Sequence, residues 1–434
     1  MKFYNRIKEL EKLHHIEILS QHSAKMSVIV GRRRIGKTSL IRHAYDKQIY
    51  LFVSKKNEAL LCEEFMTIIS NELDIKIHGN FIKFAKLFEY LLELAVQKHF
   101  TLVIDEFQEF LSVNSTIYSD MQNLWDSYKE NAKMNLVLSG SIYSLMKKIF
   151  EDKKEPLFNR ADMKIHLKSF DVSTLQTILK DNYPSYSNED LLSLFTLTGG
   201  VAKYVELFVT FKAFTLQAQL DFIFEENSLF LDEGKNLLIE EFGKEYTTYF
   251  SILALIASGK SARAQMENIL EKDIGGYLDR LEKEYSIIKK VKPIFAKEGG
   301  RILKYEIIDN FFSFWFRFIY KNRSAIEIEN YSYIKQIVKQ EYSTYSGRFL
   351  EKYFIQKLKN SHQFSQIGTY WEKGNQNEID IVAVNERDKT ILIVEVKHNP
   401  KKISLDKLKE KSMKLVQKFP NYHIEFKGFS LKDL

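Results

Sequence analysis

One loop constrains this chain more than anything else in it. The run SVIV at residues 27–30 reads as a short buried strand, and the apolar spacing of residues 39–45 reads as a helix. Between them stand Gly31, Arg32, Arg33, Arg34, Ile35, Gly36, Lys37 and Thr38, which fit the pattern G-x-x-x-x-G-K-[ST]. The glycines let backbone N–H groups curl round an anion, at a helix N-terminus that already favours negative charge. The pattern predicts that residues 31–39, Ser39 included, surround the phosphates of ATP. Lys37 would reach the β- and γ-phosphates, and the Thr38 hydroxyl would ligate Mg²⁺.

The run TLVI at 101–104 is a second buried strand, and it ends in Asp105 and Glu106. In that position Asp105 can hold Mg²⁺ through water, and Glu106 can polarise the attacking water as a general base. A third strand at 135–138 runs into Ser139, which suits a polar sensor of the phosphate; Ser141 suits it less well. Arg160 is a candidate arginine finger, for its own site or for a neighbouring subunit's. Helical stretches such as 81–96 fill the gaps. Strands alternating with helices imply an α/β layer on a parallel sheet.

At about 150 residues per domain, 434 residues make room for about three domains. Changes of pattern divide the chain into a P-loop core at 1–170, an almost wholly helical stretch at 171–244, helices with a hairpin around Gly299 and Gly300 at 245–330, and helix, hairpin, strand and helix at 331–434. The single cysteine, Cys62, excludes an intrachain disulfide and a zinc cluster. No apolar run approaches the roughly 18 residues of a membrane span, and the charged first ten residues lack a signal-peptide core. The expectation is a cytoplasmic protein without membrane contact. The net charge of +7 is unevenly spread: residues 331–434 hold 19 Lys+Arg against 12 Asp+Glu, so the first 330 residues are balanced. A basic C-terminal quarter is what a polyanion partner calls for, although a lysine-rich solvated surface looks the same.

The segments GRRRIGKTSLIRHA, LVIDEFQEF, LSGS and PLFNRADMKIHL, together with the opening FYNRIKELEKL, resemble the archaeal-type ATPases of the AAA+/STAND grouping. The resemblance implies a helical lid after the core and a Gly-Gly-x-Pro turn that takes part in nucleotide sensing. Here the turn reads Gly199, Gly200, Val201 and Ala202, without the proline. It also implies a winged helix at 245–330. The expected recognition helix carries Asp273, Asp279, Glu282 and Glu284 against Arg280 and Lys283, a poor match to a DNA groove. The hairpin residues Lys292, Lys297, Arg301 and Lys304 could still meet phosphates. The aromatic run 311–318 reads as core or domain interface.

In the last segment, EIDIVAV at 378–384 is a strand with Asp380 inside an apolar alternation, and ILIVEVK at 391–397 is another. Period-2 geometry puts Glu395 and Lys397 on one face and Val394 and Val396 on the other. Asp380 and Glu395 can make a Mg²⁺ site, with Lys397 to position water or stabilise charge, and Glu351 can complete it from a helix. This set is similar to the PD-(D/E)XK nuclease superfamily, with residues 371–375 suiting the hairpin before the acidic strand. The resemblance implies a restriction-endonuclease-like α/β domain. A second E-x-K, Glu425 to Lys427, has no acidic strand before it and reads as a decoy. Lys401, Lys402, Lys407, Lys409, Lys411, Lys414 and Lys418 form a candidate phosphate rail. The sequence thus points to an ATP- and Mg²⁺-dependent hydrolase whose nucleotide state controls a nucleic-acid-binding domain, with DNA cleavage by that domain and a homo-oligomer as further expectations. The rival is a STAND-type nucleotide switch whose C-terminal domain binds a partner without cleavage.

Overall fold

The computed structural model describes residues 1–296, 303–372 and 376–434. The chain divides between Ser169 and Phe170 into two compact units.

In the N-terminal unit five strands form one sheet: β1 (Lys25–Val30), β2 (Ile49–Phe52), β3 (Phe100–Asp105), β4 (Met134–Gly140) and β5 (Met163–His166), in the order β2-β3-β4-β1-β5. Every neighbouring pair is parallel. Side-chain alternation distributes each central strand between two cores. Leu102, Ile104, Leu136 and Leu138 enter one, with Phe65, Leu91 and Trp125 from the helices Glu58–Leu73, Phe84–Gln97 and Ile117–Tyr128. Val103 and Val137 enter the other, with Leu13 and Leu40 from the helices Ile7–Ser20 and Lys37–Ala44. Helices therefore cover both faces, as an all-parallel sheet requires. The central strands are those expected from sequence; β2 and β5, four residues each at the two edges, are additions to that reading.

The C-terminal unit begins with five helices, Val172–Asn182, Asn188–Thr198, Ala202–Thr210, Leu216–Ile223 and Leu229–Phe242. Gly200 has φ +74°, and a Cβ there would lie 2.1 Å from the Phe170 carbonyl oxygen, so the Gly-Gly turn admits no side chain at this position. Ala202 is the first residue of its helix. Proline is favoured there because its missing N–H would be unpaired anyway, so alanine leaves the turn intact.

Three further helices, Tyr246–Ala257, Arg263–Leu270 and Gly275–Lys283, precede an antiparallel pair, β6 (Ile288–Val291) and β7 (Lys304–Ile307). The expected hairpin tip at Gly299 and Gly300, with Lys297 and Arg301, lies outside the described residues. The aromatic run follows as a short helix, Asn310–Phe314, and a π-helical turn, Trp315–Ile319. It is buried at the meeting point of earlier and later helices: Phe311 packs on Tyr204, Phe316 on Phe250, and Phe318 on Tyr345. The helix Tyr331–Asn360 then leads into β8 (Gln366–Tyr370), β9 (Ile379–Asn385), β10 (Thr390–Lys397), the helix Leu405–Val416 and β11 (His423–Ser430), in the sheet order β11-β10-β9-β8. β10 pairs antiparallel with β9 and parallel with β11. Glu425 and Lys427 of the decoy therefore lie on an edge strand, opposite Leu392 and Val394, and pair with each other at 2.7 Å. Of the expected 371–375 hairpin, Lys373, Gly374 and Asn375 lie outside the described residues, while Glu372 pairs with Lys414 at 2.7 Å.

The expected boundaries at 244/245 and 330/331 fall inside this single compact unit, which Arg317 helps to close through Glu341 at 2.6 Å. Gly234 sets the packing on the other side of the aromatic run. A Cβ on it would lie 2.3 Å from the Trp315 ring, whose Nε1 donates to the Leu231 carbonyl at 3.2 Å. The ring is buried and held by that bond, so the helix would have to move. Gly234→Ala should lower unfolding stability by about 1–3 kcal/mol, read as a fall in Tm by differential scanning fluorimetry. An unchanged Tm would show that the ring relaxes freely.

Candidate functional site

The loop after β1 ends at Gly36, whose φ of +97° turns the chain into the helix Lys37–Ala44. Gly31 lets the loop pack closely, since a Cβ there would meet the Leu167 carbonyl oxygen at 3.1 Å. Lys37 is only 7% exposed, and its Nζ donates to the Gly31 and Arg32 carbonyls at 2.7 and 3.2 Å. Burial pushes its pKa down, while Glu106 and Asp105 pull it back up. Ile35 is buried, Arg33 and Arg34 are exposed, and Ser39 faces outward with its carbonyl on the His43 ring.

Asp105 closes β3 and is nearly buried. Thr38 Oγ1 approaches its Oδ2 at 3.5 Å, and Tyr50 on β2 donates its phenol to the same oxygen. Burial and the neighbouring Asp105 raise the Tyr50 pKa, which keeps the phenol a donor. Thr38 and Asp105 together present two hard oxygens beside the loop, which fits Mg²⁺. Glu106 sits in the left-handed region at φ +52°. Its Oε2 accepts from Ser141 Oγ at 2.6 Å and from Gln108 Nε2 at 2.5 Å. Both donors are neutral, so they orient the carboxylate without discharging it.

Ser141 is thus the hydroxyl on Glu106. Ser139 is fully buried within β4, and its Oγ has no hydrogen-bond partner among the described residues. Arg160 donates to Asp126 and to the Phe158 carbonyl, both at 3.0 Å. It shares a pocket with Lys25 at the amino end of β1. The loop starts at the carboxyl end of that strand, so Arg160 does not reach its own chain's nucleotide site. Tyr50 and Gln108 escaped the sequence reading; a polar ring inside the run IYLF was the available signal.

In the C-terminal unit the structure brings the second candidate set together as an ion-paired cluster. Lys397 Nζ lies 3.2 Å from Asp380 Oδ2 and 3.6 Å from Glu395 Oε1. The Val396 N–H donates to Asp380 Oδ2 at 2.7 Å. Glu395 is committed on both oxygens, to the Ser404 N–H at 3.1 Å and to Lys411 at 3.1 Å. Burial alone would raise the Glu395 pKa, but these donors hold it below the ordinary value. Burial raises Asp380 in spite of Lys397. Among the described residues no group of three or more His, Cys, Asp or Glu side chains is placed to hold a metal ion. Glu351 does not join Asp380 and Glu395 in such a group, and lysines stand against Asp380 Oδ2 and Glu395 Oε1.

Glu351 is half-buried, and burial followed by the charge of Asp380 raises its pKa to about 8. A carboxyl whose folded pKa lies above its unfolded one favours the folded state at low pH, and stability falls as pH rises between the two values. Glu351→Gln should therefore match wild type near pH 5 and exceed it by about 1–2 kcal/mol at pH 8, after allowance for solvent screening. Thermal unfolding across that range tests this, and a pH-independent difference would contradict it.

Residues 3–208 match the family described as an ATPase domain predominantly from Archaea. Residues 315–414 match a family described as "Archaea bacterial proteins of unknown function". An uncharacterized protein of Methanocaldococcus jannaschii is 29% identical over 414 residues, 91% of this chain and 87% of that protein. Among solved structures, the Walker-type ATPase of Pyrococcus abyssi matches with a TM-score of 0.54 and 18% identity, over 72% of this chain and 96% of its own. The Aeropyrum pernix ORC2 protein, solved in ADPNP–ADP complexes, matches at a TM-score of 0.48 and 14% identity, over 78% and 96%. No helix among the described residues is long and apolar enough to cross a membrane.

Proposed function

With residues 3–208 standing as an ATPase domain of the archaeal type, we propose that this chain hydrolyses ATP with Mg²⁺ and that its nucleotide state governs a nucleic-acid-binding C-terminal domain, with DNA as the partner. The observation that carries the first part is the convergence of Lys37, Thr38, Asp105 and Glu106 at one edge of the sheet. Bound Mg²⁺ would neutralise charge on the transferred phosphoryl group, and Thr38 and Asp105 are the residues to hold it. The loop N–H groups and Lys37 bind and orient the phosphates. Glu106, fixed by Ser141 and Gln108, takes the proton of the attacking water. If Arg160, which pairs with Asp126, serves as an arginine finger, its nucleotide would be that of a neighbouring copy in a homo-oligomer.

The excess of cations in the last quarter supports the second part, together with three helices and a hairpin in the order of a winged helix. DNA cleavage is a second reading, favoured by the meeting of Asp380, Glu395 and Lys397. A partner-binding nucleotide switch is the rival.

Lys37→Ala should abolish ATP turnover, and Glu106→Gln should keep nucleotide affinity while kcat falls about 10²–10⁴-fold. Phosphate release and equilibrium binding of a fluorescent ATP analogue measure these. Turnover retained in Lys37→Ala would remove the proposal. Supercoiled and single-stranded DNA, incubated with Mg²⁺ with and without ATP, separate the readings. Cleavage lost in Lys397→Ala supports the nuclease; salt-sensitive binding without cleavage supports a binding module; neither binding nor cleavage supports the switch.

A further inference from the structure

A cleft of about 370 Å³ in the C-terminal unit lies between the β6–β7 pair, the helix Tyr331–Asn360 and β8. Its lining holds six cations, Lys289, Lys290, Lys292, Arg348, Lys352 and Lys359, against two acids, Glu306 and Glu351. Lys289 is paired with Glu306 and Lys290 with Glu282, at 3.2 and 2.6 Å. The other four have no carboxylate partner among the described residues.

Two of the four are built into the wall. Arg348 and Lys352 stand one helical turn apart on the same face. The Arg348 guanidinium lies over the Tyr345 and Phe349 rings at 4.4 and 4.8 Å and donates to Ser313 Oγ at 2.7 Å. Its buried Nε–H has no acceptor among the described residues. Lys352 donates to Asn310 Oδ1 at 3.3 Å and sits 5.0 Å from the Phe349 ring. A stacked, fixed guanidinium is suited to oxyanions; burial lowers the Lys352 pKa to about 8 against the pull of Glu306 and Asp309, so a bound anion would help to hold its charge. Lys292 and Lys359 are exposed and flank the cleft. Ile256, Ile355 and Ile367 supply apolar wall. Glu351 lines the cleft and interacts electrostatically with Asp380 and Lys397, which do not line it themselves.

We propose that this cleft binds the phosphodiester backbone of a single nucleic-acid strand and leads it toward the Asp380–Glu395–Lys397 cluster. This rests on the nucleic-acid reading above and deepens it, because it assigns the contact to the hairpin and the long helix, not to the lysine rail of the helix Leu405–Val416. A cationic groove that tracks the backbone beside an aromatic surface is the chemistry of single-strand binding, and Tyr305 supplies an aromatic side chain to this lining.

The test uses the full chain and a fluorescein-labelled 30-nucleotide DNA strand, in EDTA so that cleavage is suppressed, with anisotropy read across a salt series. Each lost phosphate contact lowers the salt slope by about 0.7 on a single strand. Lys292→Ala with Lys359→Ala, both exposed and safe for folding, should weaken binding about tenfold and reduce the slope by about 1.4. Arg348→Ala and Lys352→Gln should weaken it further, with circular dichroism confirming the fold. Unchanged affinity and slope in the exposed double variant, with loss in Lys407→Ala plus Lys409→Ala, would overturn the cleft and leave the nucleic-acid reading standing. Failure of the wild-type chain to bind this strand or the matching duplex would remove both.

Discussion

An ammonium group that is 7% exposed is the constraint on which the N-terminal unit is organised. Lys37 can stay charged there only if acids and carbonyls replace the water it has lost. The parallel sheet supplies both. Because β3 lies two strands from β1 with β4 between, the acids at the end of β3 face the loop at the end of β1. Every neighbouring pair runs the same way, so strand ends carrying chemistry gather on one edge. The opposite edge receives what the site does not use, which is why Arg160 ends on Asp126 beside Lys25.

The C-terminal unit solves a related problem with the opposite arrangement. There the buried Glu395 and half-buried Asp380 are the groups short of water, and lysines answer them. Lys397 bridges Asp380 and Glu395, while Lys411 reaches Glu395 from the neighbouring helix. Lys397 is itself pulled in two directions: burial lowers its pKa, and Asp380 and Glu395 raise it above the ordinary value. Glu351 is left as the group least compensated, which is the origin of its high pKa. Two lysines answer three acids, so the ion pairs offset Asp380 and Glu395 and leave Glu351 over. The same residue types that suggest a nuclease therefore also form an ion-pair network without a metal.

Much of this was legible in the sequence, and the gaps have physical causes. β1, β3 and β4 are buried on both faces and so read as continuous apolar runs. β2 and β5 are edge strands of four residues, too short to show a period. β11 alternates exposed and half-buried residues, with Glu425 and Lys427 on its open face, and its pairing with β10 depends on residues thirty positions away. The loop and the acids of β3 were legible because spacing along the chain fixes them. Which serine meets Glu106 was not: Ser139 and Ser141 differ only in how β4 ends, and Glu106 itself turns through a left-handed φ that no pattern announces. Tyr50 was hidden for a similar reason, since its partner Asp105 is 55 residues away.

The cleft shows how far local pattern can mislead about charge. The lysines of the helix Leu405–Val416 are the most conspicuous cations in the sequence, yet Lys411 and Lys414 are spent on Glu395 and Glu372. The cations of the cleft come from two places about 60 residues apart, Lys289, Lys290 and Lys292 on the β6 side and Arg348, Lys352 and Lys359 on the long helix. What gathers them is the buried aromatic segment. Phe318 packs on Tyr345, and Ser313 accepts from Arg348, so this segment fixes the rotation of the long helix about its axis. Once that rotation is set, Arg348 and Lys352 must face the hairpin, and Glu351, between them in sequence, turns toward Asp380. A cationic wall and a carboxyl of raised pKa thus arise together from one packing arrangement, and a substitution that rotates the helix would move both.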